Sequence, residues 1–232
     1  EFFCANMTVE MDDTDKLKVL YEDAVKHFGI SFEPPDINRG RYRFEPVTDK
    51  VIRYGLGAVK GTGQQAIEAI IAAREGRGEG PRGGDHGPFK SLFDFCVRVD
   101  RQRINKRTVE ALIKAGAFDS MGVNRHSLVE AVDGIIKSVE SDSRRNLEGQ
   151  LDLFSVMSGE SQTADTDSYE IKPFPEYSHT ELLQQEKEVS GLYLSGHPLD
   201  AYREQSARFA SNSIKELTGE DAHKLDGNHV RI

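Results

Sequence analysis

Apolar residues recur at helical spacing along most of this chain, and the breaks in that spacing divide it into predicted elements. Leu17, Leu20, Ala24, Val25 and Phe28 mark a helix that Asp13 or Thr14 can cap and Gly29 ends. Alternation then takes over. Ile30 to Phe32 reads as a strand, Pro34-Pro35-Asp36 as a stop, and Arg41 to Phe44 pairs with Val51 to Tyr54 as a hairpin turned through Pro46 to Lys50. Helical spacing returns at Ala66, Ile67, Ile70 and Ile71. It recurs in Phe89 to Val97 (Leu92, Phe93, Cys96), Arg107 to Ala115 (Val109, Leu112, Ile113) and Asn124 to Asp142 (Leu128, Val132, Ile135, Val139). A last helix spans about His179 to Val189, and Asn228 to Ile232 reads as an opening strand. The pattern predicts an α+β protein, mostly α, with one small β-hairpin region.

Two stretches interrupt the pattern. Gly76 to Pro88 holds six glycines and two prolines in thirteen residues, too flexible a composition for a packed element, and reads as an exposed loop separating two units. From Ser155 to Leu182, six acids face a single Lys172 among Ser, Thr and Pro, so residues 143–178 are expected to include a solvated, flexible linker. Inside it stands Gln150-Leu151-Asp152-Leu153-Phe154. Apolar side chains in such surroundings suit an extended peptide read by a groove on another protein, with Leu153 and Phe154 as anchors and the Gln150 amide fixing register. Each anchor is worth roughly 1.5–3 kcal/mol when fully buried, enough for a weak, reversible contact. The alternative is a short edge strand folded back on its own domain.

Composition narrows the setting. With 232 residues, 37% hydrophobic and 30% charged, the chain suits one large or two to three small soluble domains. No apolar run approaches the roughly 20 residues that span a bilayer, and Glu1 to Met7 lacks the basic and apolar regions of a signal peptide. A start without Met suggests a piece of a longer protein. Cys4 and Cys96 lie far apart with no neighbouring ligand residues, so neither a zinc site nor a disulfide framework is expected, and the reducing cytoplasm is the natural location.

The net charge of -9 argues against a uniformly basic surface, yet the charge is unevenly spread. Arg39, Arg41 and Arg43 form one cationic run; Arg98, Arg101, Arg103, Lys106 and Arg107 form another against Asp100 alone. Lys60-Gly61-Thr62-Gly63 precedes a helix, where free amides and the absence of Cβ at both glycines would let a phosphate approach the main chain. That is the chemistry of a helix-hairpin-helix, although Ile67 stands where such hairpins usually carry Ala. Asn105 and its basic neighbours fall between two helices and would project from a second hairpin, giving sequence-independent phosphate contacts. A plain Gly-rich turn and a solvated basic turn are the bland alternatives. The Gly-Lys-Ser/Thr ending of a P-loop and the spacing of a dinucleotide fold are absent. Asp12, Asp13 and Asp15 read as helix-terminal acids rather than metal ligands, and Ser195 beside His197 as part of a turn rather than a nucleophile and base.

Together Pro34 to Asn38, Tyr54 to Gly63, Leu112 to Asp119 and Gly191 to Leu199 resemble the alpha subunit family of bacterial replicative DNA polymerase III, over essentially the whole chain. Gln150 to Phe154 is similar to the peptide by which bacterial replication proteins dock on the sliding clamp. The resemblance implies three parts. Residues 1–86 would end the fingers region, 87–210 would form a tandem helix-hairpin-helix and clamp-binding domain, and 211–232 would begin an OB-fold. It implies binding of duplex DNA, the clamp and other replicase subunits. By the same resemblance the family's catalytic aspartates would lie in a palm region preceding Glu1, so no catalytic residue, metal or cofactor is expected here, although the parent polymerase would use Mg. The glycine-rich stretch is longer than the family pattern. Two rival readings are a free-standing helix-hairpin-helix module of repair or recombination and a nuclease built on Asp12, Asp13 and Asp15.

Overall fold

Three short strands form a sheet in the order β1-β3-β2: β1 (Ser31–Glu33) runs parallel to β3 (Val51–Arg53), and β2 (Glu45–Thr48) antiparallel to it. This is a computed structural model describing residues 1–78, 80, 84–151 and 169–210, with the backbone alone for 142–151 and 206–207. The first hairpin strand lies later than Arg41 to Phe44, because Phe44 turns into the core and Pro46 is tolerated on an edge strand. From the central strand, Arg53 reaches Glu33 at 3.1 Å on one side and Glu45 at 3.9 Å on the other. Opposite charges on adjacent strands thus reinforce the register.

A helix not foreseen from the pattern, α1 (Phe2–Val9), packs Phe3, Cys4 and Met7 against α2 (Thr14–Phe28) and the sheet. The Asp13 carboxylate caps α2 by accepting the Lys16 amide at 3.1 Å, and Gly29 ends it at φ +61°. A 3-10 turn, Leu56–Ala58, leads to α3 (Gln64–Arg74). Then follow α4 (Leu92–Arg98), α5 (Lys106–Lys114), α6 (Arg125–Leu151) and α7 (His179–Ser190).

Residues 1–194 form one compact unit, which spans the expected boundary at residue 86. Two features account for this. Helix α5 turns Leu112 and Ile113 to the cluster of α3, α4 and α6, and Ala111 and Ala115 to that of α1, α2 and the sheet. The ends of the glycine-rich loop are also tied down: Arg98, 2% exposed, donates to the carbonyls of Ala73, Asp85 and Gly87 at 2.9, 3.2 and 2.9 Å. Its charge is balanced by Asp94 at 3.2 Å and lies over the Phe89 ring.

Two further expectations change. Helix α6 continues past Asp142 to Leu151, through a run of good helix formers that includes Arg144, Arg145, Leu147 and Glu148. Residues 169–178, expected to be solvated linker, lie along α6, where Tyr169 and Ile171 pack against its apolar face. Ser178 and Glu181 then form a reciprocal capping box at the start of α7.

Ser195 begins a second unit, described as far as residue 210. His197 belongs to a turn, its amide donating to Asp200 at 2.7 Å, before α8 (Arg203–Phe209). The OB-fold expectation for 211–232 lies outside the described residues.

Candidate nucleic-acid interface

The loop before α3 is held open by its own threonine. Thr62 is 6% exposed, and its hydroxyl donates inward to the Leu56 carbonyl at 2.8 Å while its amide donates to Val59 at 3.2 Å. The Thr62 amide, expected to be free for a phosphate, is thus taken up within the loop, and the residue's polar atoms shape it. Gly61 sits at φ +83°, a left-handed conformation that disfavours a side chain. Gly63 differs. Its φ of -71° suits any residue, and nothing lies within 4 Å of where a Cβ would project, so neither backbone nor packing requires glycine there. Beyond it, the amides of Gln64 and Gln65 receive no acceptor from the described residues. Lys60 is exposed, with no carboxylate partner among the described residues.

Helix α5 begins beside this loop. Its cap, Asn105, accepts the Thr108 amide at 2.9 Å, and the Thr108 hydroxyl donates to the Gly61 carbonyl at 3.1 Å. One hydrogen bond thus joins the two helix starts. The amides of Lys106 and Arg107 have no acceptor among the described residues. Two sets of free N–H groups, each at the positive end of a helix dipole, meet in one place.

The cations of the second basic stretch have different fates. Arg98 is structural. Arg101 donates to Glu140 at 2.8 Å, Arg103 to Asp100 at 3.3 Å, and Lys106 to Asp133 at 2.7 Å. The hydrogen bond it donates to Asp133 holds the Lys106 ammonium above its usual pKa. Arg107 is exposed and has no ion partner among the described residues. Of the cations at these two helix starts, then, Lys60 and Arg107 have no carboxylate partner among the described residues, whereas Arg101, Arg103 and Lys106 are shared with carboxylates.

Helix α6 starts with the same logic as α5 and a different outcome. Asn124 accepts the Ser127 amide at 2.8 Å, as Asn105 does for Thr108. The next two amides are occupied: Arg125 and His126 donate to the two carboxylate oxygens of Glu176 at 2.9 and 3.1 Å. The Arg125 guanidinium turns inward to Glu186 at 2.9 Å and Asp119 at 2.7 Å. Burial works against this charge, but the two carboxylates more than restore it and hold its pKa above the ordinary value.

Comparison with known proteins places these elements. The family description "Helix-hairpin-helix motif" matches residues 29–128, from the sheet through the start of α6. DNA polymerase III subunit alpha of Neisseria meningitidis serogroup A is 39% identical over 98% of this chain. Those of Haemophilus influenzae and Escherichia coli K12 are 38% and 37% identical over 94% and 90%. The chain is homologous to one segment of DNA polymerase III subunit alpha. It spans 17–18% of the length of these relatives.

The motif match includes both open helix starts and excludes Gln150 to Phe154. Gln150 and Leu151 close α6 as helical backbone, whereas an extended peptide was expected; Asp152, Leu153 and Phe154 lie outside the described residues. No helix among the described residues is long and apolar enough to cross a membrane. Among the described residues no group of three or more His, Cys, Asp or Glu gathers as a metal site, and Asp13 serves as a cap. Sequence reasoning missed Glu176, Glu186 and the inward turn of Arg125. The available signal was the repeat of Asn105-Lys106-Arg107-Thr108 as Asn124-Arg125-His126-Ser127.

Proposed function

We propose that this chain grips duplex DNA through the joined starts of α3 and α5, as part of a DNA polymerase III alpha subunit that performs template-directed synthesis in the cytoplasm. The supporting observation is the pair of open, amide-bearing helix ends held together by the Thr108–Gly61 bond, with Lys60 and Arg107 unpaired beside them. Phosphates fit such ends without reading bases, so binding is sequence-independent and salt-sensitive. Arg101, Arg103 and Lys106 add cations whose exposed pairings are worth about 0–1 kcal/mol each, so a phosphate can displace the carboxylate. Asn105, Gly61 and Gly63 position the amides, and Thr62 keeps the loop in shape.

Gln150 to Phe154 would dock on the sliding clamp, and residues 211–232 would open an OB-fold. Contacts to other replicase subunits follow from the same membership. Mg would serve the polymerising site of the parent protein. A clamp peptide on the same chain as a duplex grip makes re-engagement intramolecular, so individually weak contacts suffice.

The test is a salt titration of duplex binding. Lys60→Ala and Arg107→Ala should each weaken binding for every sequence and reduce the slope of log K against log salt by about 0.9. Unchanged slopes in both would remove the two helix ends from the interface. Replacing Leu153 and Phe154 with Ala should abolish clamp capture with duplex affinity intact. Loss of both would make that peptide structural.

A further inference from the structure

We propose that residues 169–178 form a releasable strap, seated on α6 at Gly134 and latched at the α6 start by Glu176. The strap lies along the folded unit when latched and lifts away, as far as Ser178 where α7 begins, when released.

The strap runs antiparallel to α6. At one end Tyr169 rests on Gly134, so close that a Cβ there would meet the phenol oxygen. Glycine inside a long helix otherwise costs about 1 kcal/mol relative to alanine, and the seat for Tyr169 explains its presence. At the other end the main chain is pinned at the α6 cap. The Phe174 amide donates to the Ser127 hydroxyl at 2.8 Å, and its carbonyl accepts the Asn124 amide group at 2.7 Å. Glu176 takes the Arg125 and His126 amides, and the His126 ring stacks on Tyr177 with centroids 4.4 Å apart.

These anchors are mostly polar and peripheral. Phe174 stays 37% exposed, and Tyr169 and Ile171 are half-buried. Little apolar area is lost on lifting the strap, which distinguishes it from the buried helices beneath. The α6 start also lies by the end of α5, where Arg125 donates to the Lys114 carbonyl at 3.1 Å. The open start of α5 meets α6 further along, at Asp133. The Glu176 latch and the proposed DNA-binding ends therefore occupy opposite ends of the α5–α6 hairpin, while the Gly134 seat lies next to Asp133, so the latch can open while those ends stay formed.

Amide hydrogen exchange on the whole chain tests this. In the wild type, the amides of Arg125, His126, Phe174 and Tyr177 should exchange faster than the core amides of α5, through an opening smaller than global unfolding. Gly134→Ala and Glu176→Gln together should speed those four at least tenfold, leaving the amides of Val109 to Ile113 unchanged, and Glu176→Gln alone should leave duplex affinity unchanged. Gly134→Ala alone separates the seat from any effect of charge. The proposal is overturned if the four amides exchange only with global unfolding, if they stay protected in the double variant, or if α5 loosens along with them. Failure of the duplex grip would appear separately, as unchanged salt slopes in the Lys60 and Arg107 variants.

Discussion

Helices α5 and α6 open with the same four-residue arrangement, an Asn cap, a cation, a second basic or imidazole residue and a hydroxyl, yet among the described residues only the α6 start receives a carboxylate. At α5 the cap leaves two amides facing outward beside an unpaired Arg107. At α6 the corresponding amides hold Glu176, contributed from 51 residues further along the chain. The corresponding cations also part ways: Lys106 stays on the surface with Asp133, while Arg125 is 6% exposed between Asp119 and Glu186. A free helix start is thus a property of the whole fold. It persists only where no carboxylate of the same chain arrives to neutralise it.

The sharpest way to break the comparison is to truncate the two first-turn cations. Arg125→Ala leaves Glu186, which is 0% exposed, without its cation, and should cost about 3–5 kcal/mol of unfolding free energy. Lys106→Ala should change it by under about 1 kcal/mol. Urea denaturation of both variants checks the pair, and equal losses would mean the starts are not differently built.

An intermediate effect is expected at Gly63. Asp is a better helix cap than Gly by a few tenths of a kcal/mol, so Gly63→Asp should slightly raise the denaturation midpoint. The same carboxylate would fill the α3 start as Glu176 fills that of α6, and duplex affinity should fall about tenfold. A variant with lower stability and intact binding would show that glycine is needed for folding instead.

The smallest effect concerns acid. Loss of solvent around Glu176 would push its carboxyl up, but the amides of Arg125, Tyr177 and His126 outweigh this and hold it below the usual carboxylate value. With the folded pKa depressed, the stabilisation is present above the ordinary value of about 4.3 and is lost as pH falls through the lowered one. Amide protection at Arg125 and His126 should decline over that acid window and leave Lys106 and Arg107 unaffected. A pH-independent protection pattern would show the latch does not depend on the carboxylate's charge.

Much of this architecture is legible locally. The Asp13 cap, the Gly29 stop, the spacing of Val109, Leu112 and Ile113, and the paired glycines before α3 are short-range signals, and they find their places in the structure. The misses are long-range. The Gly61-Thr62-Gly63 run reads as a row of free amides because sequence does not say which of them the loop uses itself; here the Thr62 amide donates to Val59 and its hydroxyl to Leu56. The acidic stretch reads as solvated because its six acids stand among Ser, Thr and Pro with Lys172 alone against them. Yet Glu176 lies against amides and Tyr169 finds a glycine on α6, both set by tertiary placement. Helix α1 hides in a short, mostly apolar segment, where Asn6 and Thr8 are too few to mark the face carrying Phe3, Cys4 and Met7.

The Thr108 hydroxyl resting on the Gly61 carbonyl has one more consequence. Two sockets pinned at a set separation act as a gauge: a solitary anion satisfies one and gains nothing from the other, whereas a polymer with evenly repeating charges can seat in both at once. Discrimination between such a chain and dissolved salt would then come from pitch alone, with no contact to any base.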